Sequence, residues 1–157
     1  MFGAPAHEIL PGLWLGNKAA SLDDGWLREK GITTVFNATK DSPFSPVATA
    51  RHRIPVDDNL EPTEIANMRR WAPEAVYKII RAHKAGAPVL VHCHAGMQRS
   101  AALMAMTLIA LKDYDADKAM KFVRDRRSVA FFPTANFKDA IRGFESDFRD
   151  ARGTLIS

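Results

Sequence analysis

The stretch Pro88-Val89-Leu90-Val91-His92-Cys93-His94-Ala95-Gly96-Met97-Gln98-Arg99-Ser100, with the apolar run Ala101 to Leu111 behind it, decides how this chain is read. Pro88 to Val91 reads as a short buried strand and Ala101 to Leu111 as a buried helix. The single cysteine, Cys93, therefore falls on a strand-to-helix turn, with Arg99 at the start of the helix. A helix N-terminus offers unpaired N–H groups and the positive end of a dipole, so it binds anions and stabilises a thiolate. An arginine at that end is unfavourable for the dipole and asks for an anion nearby. A cradle, a nucleophile and a planar cation in one turn point to chemistry on a phosphate group.

Each residue of the turn has an expected role. Cys93 is the candidate nucleophile, since a thiolate attacks phosphorus and forms a covalent phosphoenzyme. His94, Ala95, Gly96, Met97 and Gln98 form one loop turn whose N–H groups converge on the phosphate, with Gly96 free to take a backbone conformation closed to other residues. Arg99 holds two phosphoryl oxygens with its planar fork and offsets their charge. Ser100 places a hydroxyl next to the sulfur, where it helps the thiolate leave during phosphoenzyme hydrolysis. His92 is expected to support the loop from behind by a hydrogen bond. His92 and His94 flank the cysteine with little room for a shared ion and no second ligand cluster, so no metal and no cofactor are expected. The leaving oxygen needs a proton. Asp57 and Asp58, adjacent in a loop that follows a strand, are the candidates. Adjacent residues on an extended segment point opposite ways, so only one is expected to face the site; the residues by themselves leave open which.

Composition bounds the rest. With 157 residues, 46% of them hydrophobic, the chain can form one domain with a real core. That domain is expected over residues 1–150, with 151–157 as a tail. No apolar run is long enough to span a bilayer, and no basic-then-apolar leader opens the chain. One cysteine excludes an internal disulfide and points to a reducing, cytoplasmic or nuclear setting. The formal charge of +4 favours acidic or phosphorylated partners without singling out nucleic acid. The basic groups Arg51-His52-Arg53, Arg69-Arg70 and Lys121 to Arg127 read as solvated faces.

Taken in order, Glu8 to Asn17 reads as two strands about a Pro-Gly turn. Ser21 is the expected N-cap of a helix over 22–30 that stops at Gly31. Ile32 to Phe36 is a strand, 40–50 a loop, and Arg53 to Val56 an edge strand beside Pro55. Thr63 is the expected cap of the next helix, which Pro73 should kink or divide. Helices from Asp115 to Arg127 and from about Ala135 to Arg149 close the chain. Strands interleaved with helices give an α/β layer architecture around one central sheet.

The run Val91-His92-Cys93 through Gly96 to Arg99-Ser100 resembles the His-Cys-five-residues-Arg-Ser/Thr signature of cysteine-dependent protein tyrosine phosphatases. More closely, the chain resembles the small dual-specificity phosphatases. Ile9 to Asn17, Gly31 to Asn37, Ile54 to Asn59, Ala119 to Arg127 and Pro133 to Phe137 match further segments of that family in order. The resemblance implies a central, mostly parallel sheet with helices on both faces. It implies metal-free hydrolysis of phosphotyrosine and phosphoserine or phosphothreonine in protein substrates. It implies Cys93 as nucleophile, Arg99 as clamp and Asn37 as a support of the loop. It also selects Asp58 as general acid, with Asp57 second. The chain is too short for the element that deepens the pocket in larger tyrosine-specific enzymes, so a shallow pocket is expected. Phosphoinositide phosphatases of the superfamily usually carry lysines in the loop, and RNA triphosphatases usually have Arg-Thr-Gly; this chain has neither. A phosphate-binding module without turnover would generally have lost the cysteine, the arginine or the acid. The chain departs from the family pattern at Thr134, at Asn136, where glycine is usual, and at Gln98, where serine is common.

Overall fold

The computed structural model describes residues 4–156. Five strands form one sheet in the order β1-β2-β5-β3-β4. They are β1 (Ala6–Leu10), β2 (Leu13–Gly16), β3 (Thr34–Asn37), β4 (Ala50–Arg53) and β5 (Val89–His92). β1 and β2 are antiparallel about the turn at Gly12, and the other pairings are parallel. All four residues of β5 are buried, which is why it reads as an unbroken apolar run rather than an alternating one. Gly16 of β2 and Asn37 of β3 both pair with His92. The parallel strands thus end level with one another, and the loops that follow them meet at one edge. That edge is where open α/β sheets bind ligands.

Helices cover both faces. α1 (Lys18–Ser21) and α2 (Asp24–Lys30) lie on one side, where Leu27 and Ile32 pack with Val35 and Leu90 of the sheet. Trp14 and Trp26 close that layer in an edge-to-face pair with centroids 5.3 Å apart. α3 (Pro62–Lys84), α4 (Arg99–Lys112), α5 (Ala116–Arg126) and α6 (Lys138–Ile156) form the other layer. The main core joins them to Phe36, Val89 and Val91. α4 is buried along its length from Ser100 to Ile109, as an all-round apolar helix must be.

Several boundaries differ from the sequence reading. Asn17 caps a short α1 and Asp23 caps α2, each through a side-chain oxygen. The expected cap, Ser21, is instead the last residue of α1, and its hydroxyl bonds back to Lys18 O. α2 does stop at Gly31, in the left-handed conformation. β4 lies at the sheet edge as expected, but it ends at Arg53, before Pro55. α3 begins at Pro62 with Glu61 at the cap position and no side-chain cap, so Thr63 lies inside the helix. It runs undivided past Pro73. α6 continues through the residues read as a tail, and Ser157 lies outside the described residues. Among the described residues no helix is long and apolar enough to cross a membrane.

Candidate active site

Cys93 follows β5 directly and is 2% exposed. Its Sγ lies 3.1 Å from Ser100 Oγ, in the first turn of α4. Between them the loop is held from outside, one carbonyl after another. His94 O accepts from Lys18 N at 2.9 Å. Ala95 O and Gly96 O accept from Arg127 at 3.3 and 2.8 Å. Met97 O accepts from Phe131 N at 2.8 Å. A trans peptide directs its C=O and N–H opposite ways, so turning these four carbonyls outward turns the N–H groups of Ala95, Gly96, Met97 and Gln98 inward. That is the geometry of an anion-binding nest at a helix N-terminus.

Gly96 has φ of +66°, and a Cβ there would lie 2.6 Å from Gly16 O, so the loop packs on the end of β2 only because this residue is glycine. Arg127 is the largest fully buried side chain in the described residues, at 2% exposure. Besides the two loop carbonyls it donates to Ala4 O at 2.8 Å and contacts His7 Nδ1 at 2.9 Å. Burial pushes its pKa down, and the Cys93 sulfur pulls the other way. The sequence reading placed Arg127 on a solvated face. Its position one residue beyond α5 turns it under the loop instead, and only its partners 31 and 32 positions away reveal that.

His92 is fully buried, with Nδ1 3.3 Å from Cys93 O. Burial lowers its pKa to about 4, with Arg53 and Arg99 adding to the effect, so the ring is neutral at pH 7 and Nδ1–H is the donor to that carbonyl. The bond ties the ring to the carbonyl at the start of the loop. Asn37 supports a different loop from the one implied. Its Nδ2 donates to Ser42 O at 2.8 Å, and its Oδ1 accepts from Thr39 N and Oγ1 at 3.1 and 2.7 Å. The amide thereby shapes the Thr39–Ser42 turn, which forms one wall of the cleft.

That cleft, of about 350 Å³, is lined by Asp41, Asp57, Asp58, His94 and Arg99 among others. Arg99 Nη1 donates to Val56 O at 2.9 Å, while Arg99 Nε is buried without a hydrogen-bond partner. Both aspartates line the cleft, against the expectation that one would face away. β4 has ended by Arg53, so residues 54–61 are irregular and strict alternation does not apply. Their surroundings differ. The Asp57 carboxylate pairs with Lys40 at 3.1 Å, and its backbone N–H donates to Glu64 Oε1 at 2.9 Å. That N–H, then Lys40, holds the Glu64 carboxyl below its usual range, and Lys40 is raised in turn, first by Glu64. Asp58 is exposed, and its Oδ1 accepts from Asn136 Nδ2 at 2.9 Å.

The model of the dual specificity phosphatase catalytic domain matches residues 13–147. This chain belongs to that family. Human dual specificity protein phosphatase 2 is 35% identical over 145 residues, which take in 92% of this chain and 44% of that protein. The chain thus spans less than half the length of the curated relatives it matches. Among solved structures, human DUSP28 is 26% identical with a TM-score of 0.81, over 94% of this chain and 97% of that one. A mouse putative dual specificity phosphatase, complexed with zinc tungstate, is 25% identical with a TM-score of 0.82, over 96% and 92% of the two chains. The α/β fold with a mostly parallel sheet and helices on both faces is the one expected from the signature. Within this family domain, two segments that meet where the parallel strands end carry a thiol and a guanidinium, from the 93–99 turn, and carboxylates, from residues 54–61, a set suited to phosphoryl transfer through a covalent intermediate. Among the described residues no three His, Cys, Asp or Glu side chains converge as a metal site.

Proposed function

We propose that this chain is the catalytic domain of a protein phosphatase that hydrolyses phosphotyrosine and phosphoserine or phosphothreonine monoesters. The observation that carries the reading is the buried Cys93 sulfur, 3.1 Å from Ser100 Oγ, at the mouth of a loop whose outward carbonyls leave its N–H groups facing in. The phosphate seats on that nest and on Arg99. The Cys93 thiolate attacks phosphorus, the P–O bond to the substrate breaks, and Asp58 gives its proton to the leaving oxygen. Water then attacks the cysteinyl phosphate, Asp58 takes its proton, and Ser100 steadies the departing thiolate. The charge of the transferring group is met by preorganised donors, which is where most of the rate in such reactions arises.

Asp58 is favoured over Asp57 because the Asp57 carboxylate is held by Lys40. Asp41 and Asp58 in the cleft lining also oppose a second phosphate near the first. That favours a phosphopeptide over a phosphoinositide or a 5′-phosphorylated RNA. The tungstate in the mouse structure, a tetrahedral oxyanion, is consistent with an oxyanion site in a fold of this kind.

The test is turnover of para-nitrophenyl phosphate with EDTA present, followed by phosphopeptides, phosphoinositides and 5′-triphosphate RNA under one set of conditions. Turnover should survive chelation, disappear in Cys93→Ser and favour the peptides. Metal-dependent turnover, or activity that persists in Cys93→Ser, would sink the reading.

A further inference from the structure

We propose that Gln98 and Asn136 are positioning residues that fix the Asp58 carboxylate to the phosphate loop; the inference rests on Asp58 being the acid. Gln98 occupies the N-cap position of α4 yet makes no side-chain capping bond. It is 6% exposed, and both ends of its amide are engaged elsewhere. Nε2 donates to Phe132 O at 3.1 Å and to Thr134 O at 2.8 Å. Oε1 accepts from Asn136 N at 2.9 Å. Three bonds thus fasten the 132–136 segment to the residue directly before Arg99. Asn136 extends the link, since its Nδ2 donates to Asp58 Oδ1 at 2.9 Å.

The chemistry favours this arrangement. Asp58 is exposed, and a free carboxyl there would sample several rotamers, few of which place it near a leaving oxygen. Holding it in one geometry recovers the advantage of a preset reactant. A neutral amide orients the carboxyl without adding a cation to a site that already has Arg99. With Oδ1 held, Oδ2 is left to carry the proton. Gln98 and Asn136 are both places where the chain departs from the pattern of its resemblance, and in space they bond to each other. The two departures form one device.

The experiment compares Asn136→Ala, Asn136→Asp and Asp58→Ala on aryl phosphates whose leaving groups run from dinitrophenol to phenol. Asp58→Ala should steepen the dependence of kcat/KM on leaving-group acidity. Asn136→Ala should steepen it too, with about a tenfold loss on phenyl phosphate, the loss of about one hydrogen bond's worth of orientation, and little loss on dinitrophenyl phosphate. Asn136→Asp keeps the backbone bond to Gln98 but puts a carboxylate against Asp58, so it should lose at least as much. Inhibition by vanadate, which reads the cradle alone, should be unchanged in both Asn136 variants. In an Asp58→Ala background, Asn136→Ala should have no further effect. A uniform loss over all leaving groups, or a loss additive with Asp58→Ala, would overturn the positioning role. If Asp58→Ala itself leaves the dependence unaltered, the assignment of the acid falls, and the positioning role falls with it.

Discussion

Arg99 Nη1 donates a 2.9 Å hydrogen bond to the carbonyl of Val56, two residues before Asp58. The residue read as phosphate clamp thereby also holds the segment that carries Asp58. One guanidinium spans two loops, and it can do so because its fork offers several donors in fixed directions. The Gln98–Asn136 link makes a second connection between the same loops. The Asp58 segment is joined to the 93–99 turn at two places.

Arg99→Lys should therefore cost more than a phosphate contact. A lysine retains the charge but cannot serve Val56 O and two phosphoryl oxygens together. We expect kcat/KM on an aryl phosphate to fall on the order of 10²–10³-fold, the scale of losing one preorganised donor to the transition state. Steady-state kinetics with the folded variant, checked by circular dichroism, measures it.

Ser100→Ala removes the hydroxyl 3.1 Å from the Cys93 sulfur. A hydrogen bond to a charged group contributes about 1.5–3 kcal/mol, which corresponds to roughly 10–100-fold in rate. Because that hydroxyl acts when sulfur leaves, hydrolysis of the phosphoenzyme should slow more than its formation. Stopped-flow release of nitrophenolate should show a burst in the variant larger than in the parent, and kcat should fall with little loss in kcat/KM.

Arg127→Met tests the buried cation beneath the loop. The substitution strands the carbonyls of Ala4, Ala95 and Gly96. Each unsatisfied buried acceptor costs about 1–3 kcal/mol, so stability to urea should drop by about 2–4 kcal/mol after partial relaxation. The freed carbonyls of Ala95 and Gly96 should also let the cradle loosen, which a weaker inhibition by inorganic phosphate would report. Unchanged phosphate inhibition would mean that the cradle keeps its shape without Arg127.

His92 sets a pH dependence of stability. Burial depresses its pKa from 6.5 to about 4 in the folded chain. Between those values the unfolded chain binds the proton and the folded chain does not, so stability falls as pH drops from about 6.5 to about 4. The full effect is about 3 kcal/mol at one residue. His7, His52 and His83 are lowered too, chiefly by burial, and add the same sign. His92→Gln, which keeps a donor for Cys93 O, should flatten the stability profile between pH 4 and 6.5 without abolishing its slope. Chemical denaturation at four or five pH values reads this.

The sequence by itself determined the strand, turn and helix around Cys93, the spacing to Arg99 and Ser100, and the loop that holds Asp57 and Asp58. These are legible because each is local: a run of Val and Leu, a glycine, an arginine set against a helix dipole. The capping of α2 was misread within the same few residues, since Ser21 and Asp23 are both good caps and only the presence of α1 decides between them. What tertiary structure alone decided is how the turn is held. Lys18 from one segment, and Arg127 and Phe131 from another, reach its carbonyls, and Asn136 joins Gln98 to Asp58 across 38 and 78 positions. Such contacts leave no period or spacing in the chain. A buried arginine also runs against the ordinary rule that cations face water, so neither charge nor periodicity marks it as buried. The chemistry is written in the turn, and its orientation is set by residues that only the closed sheet edge brings together.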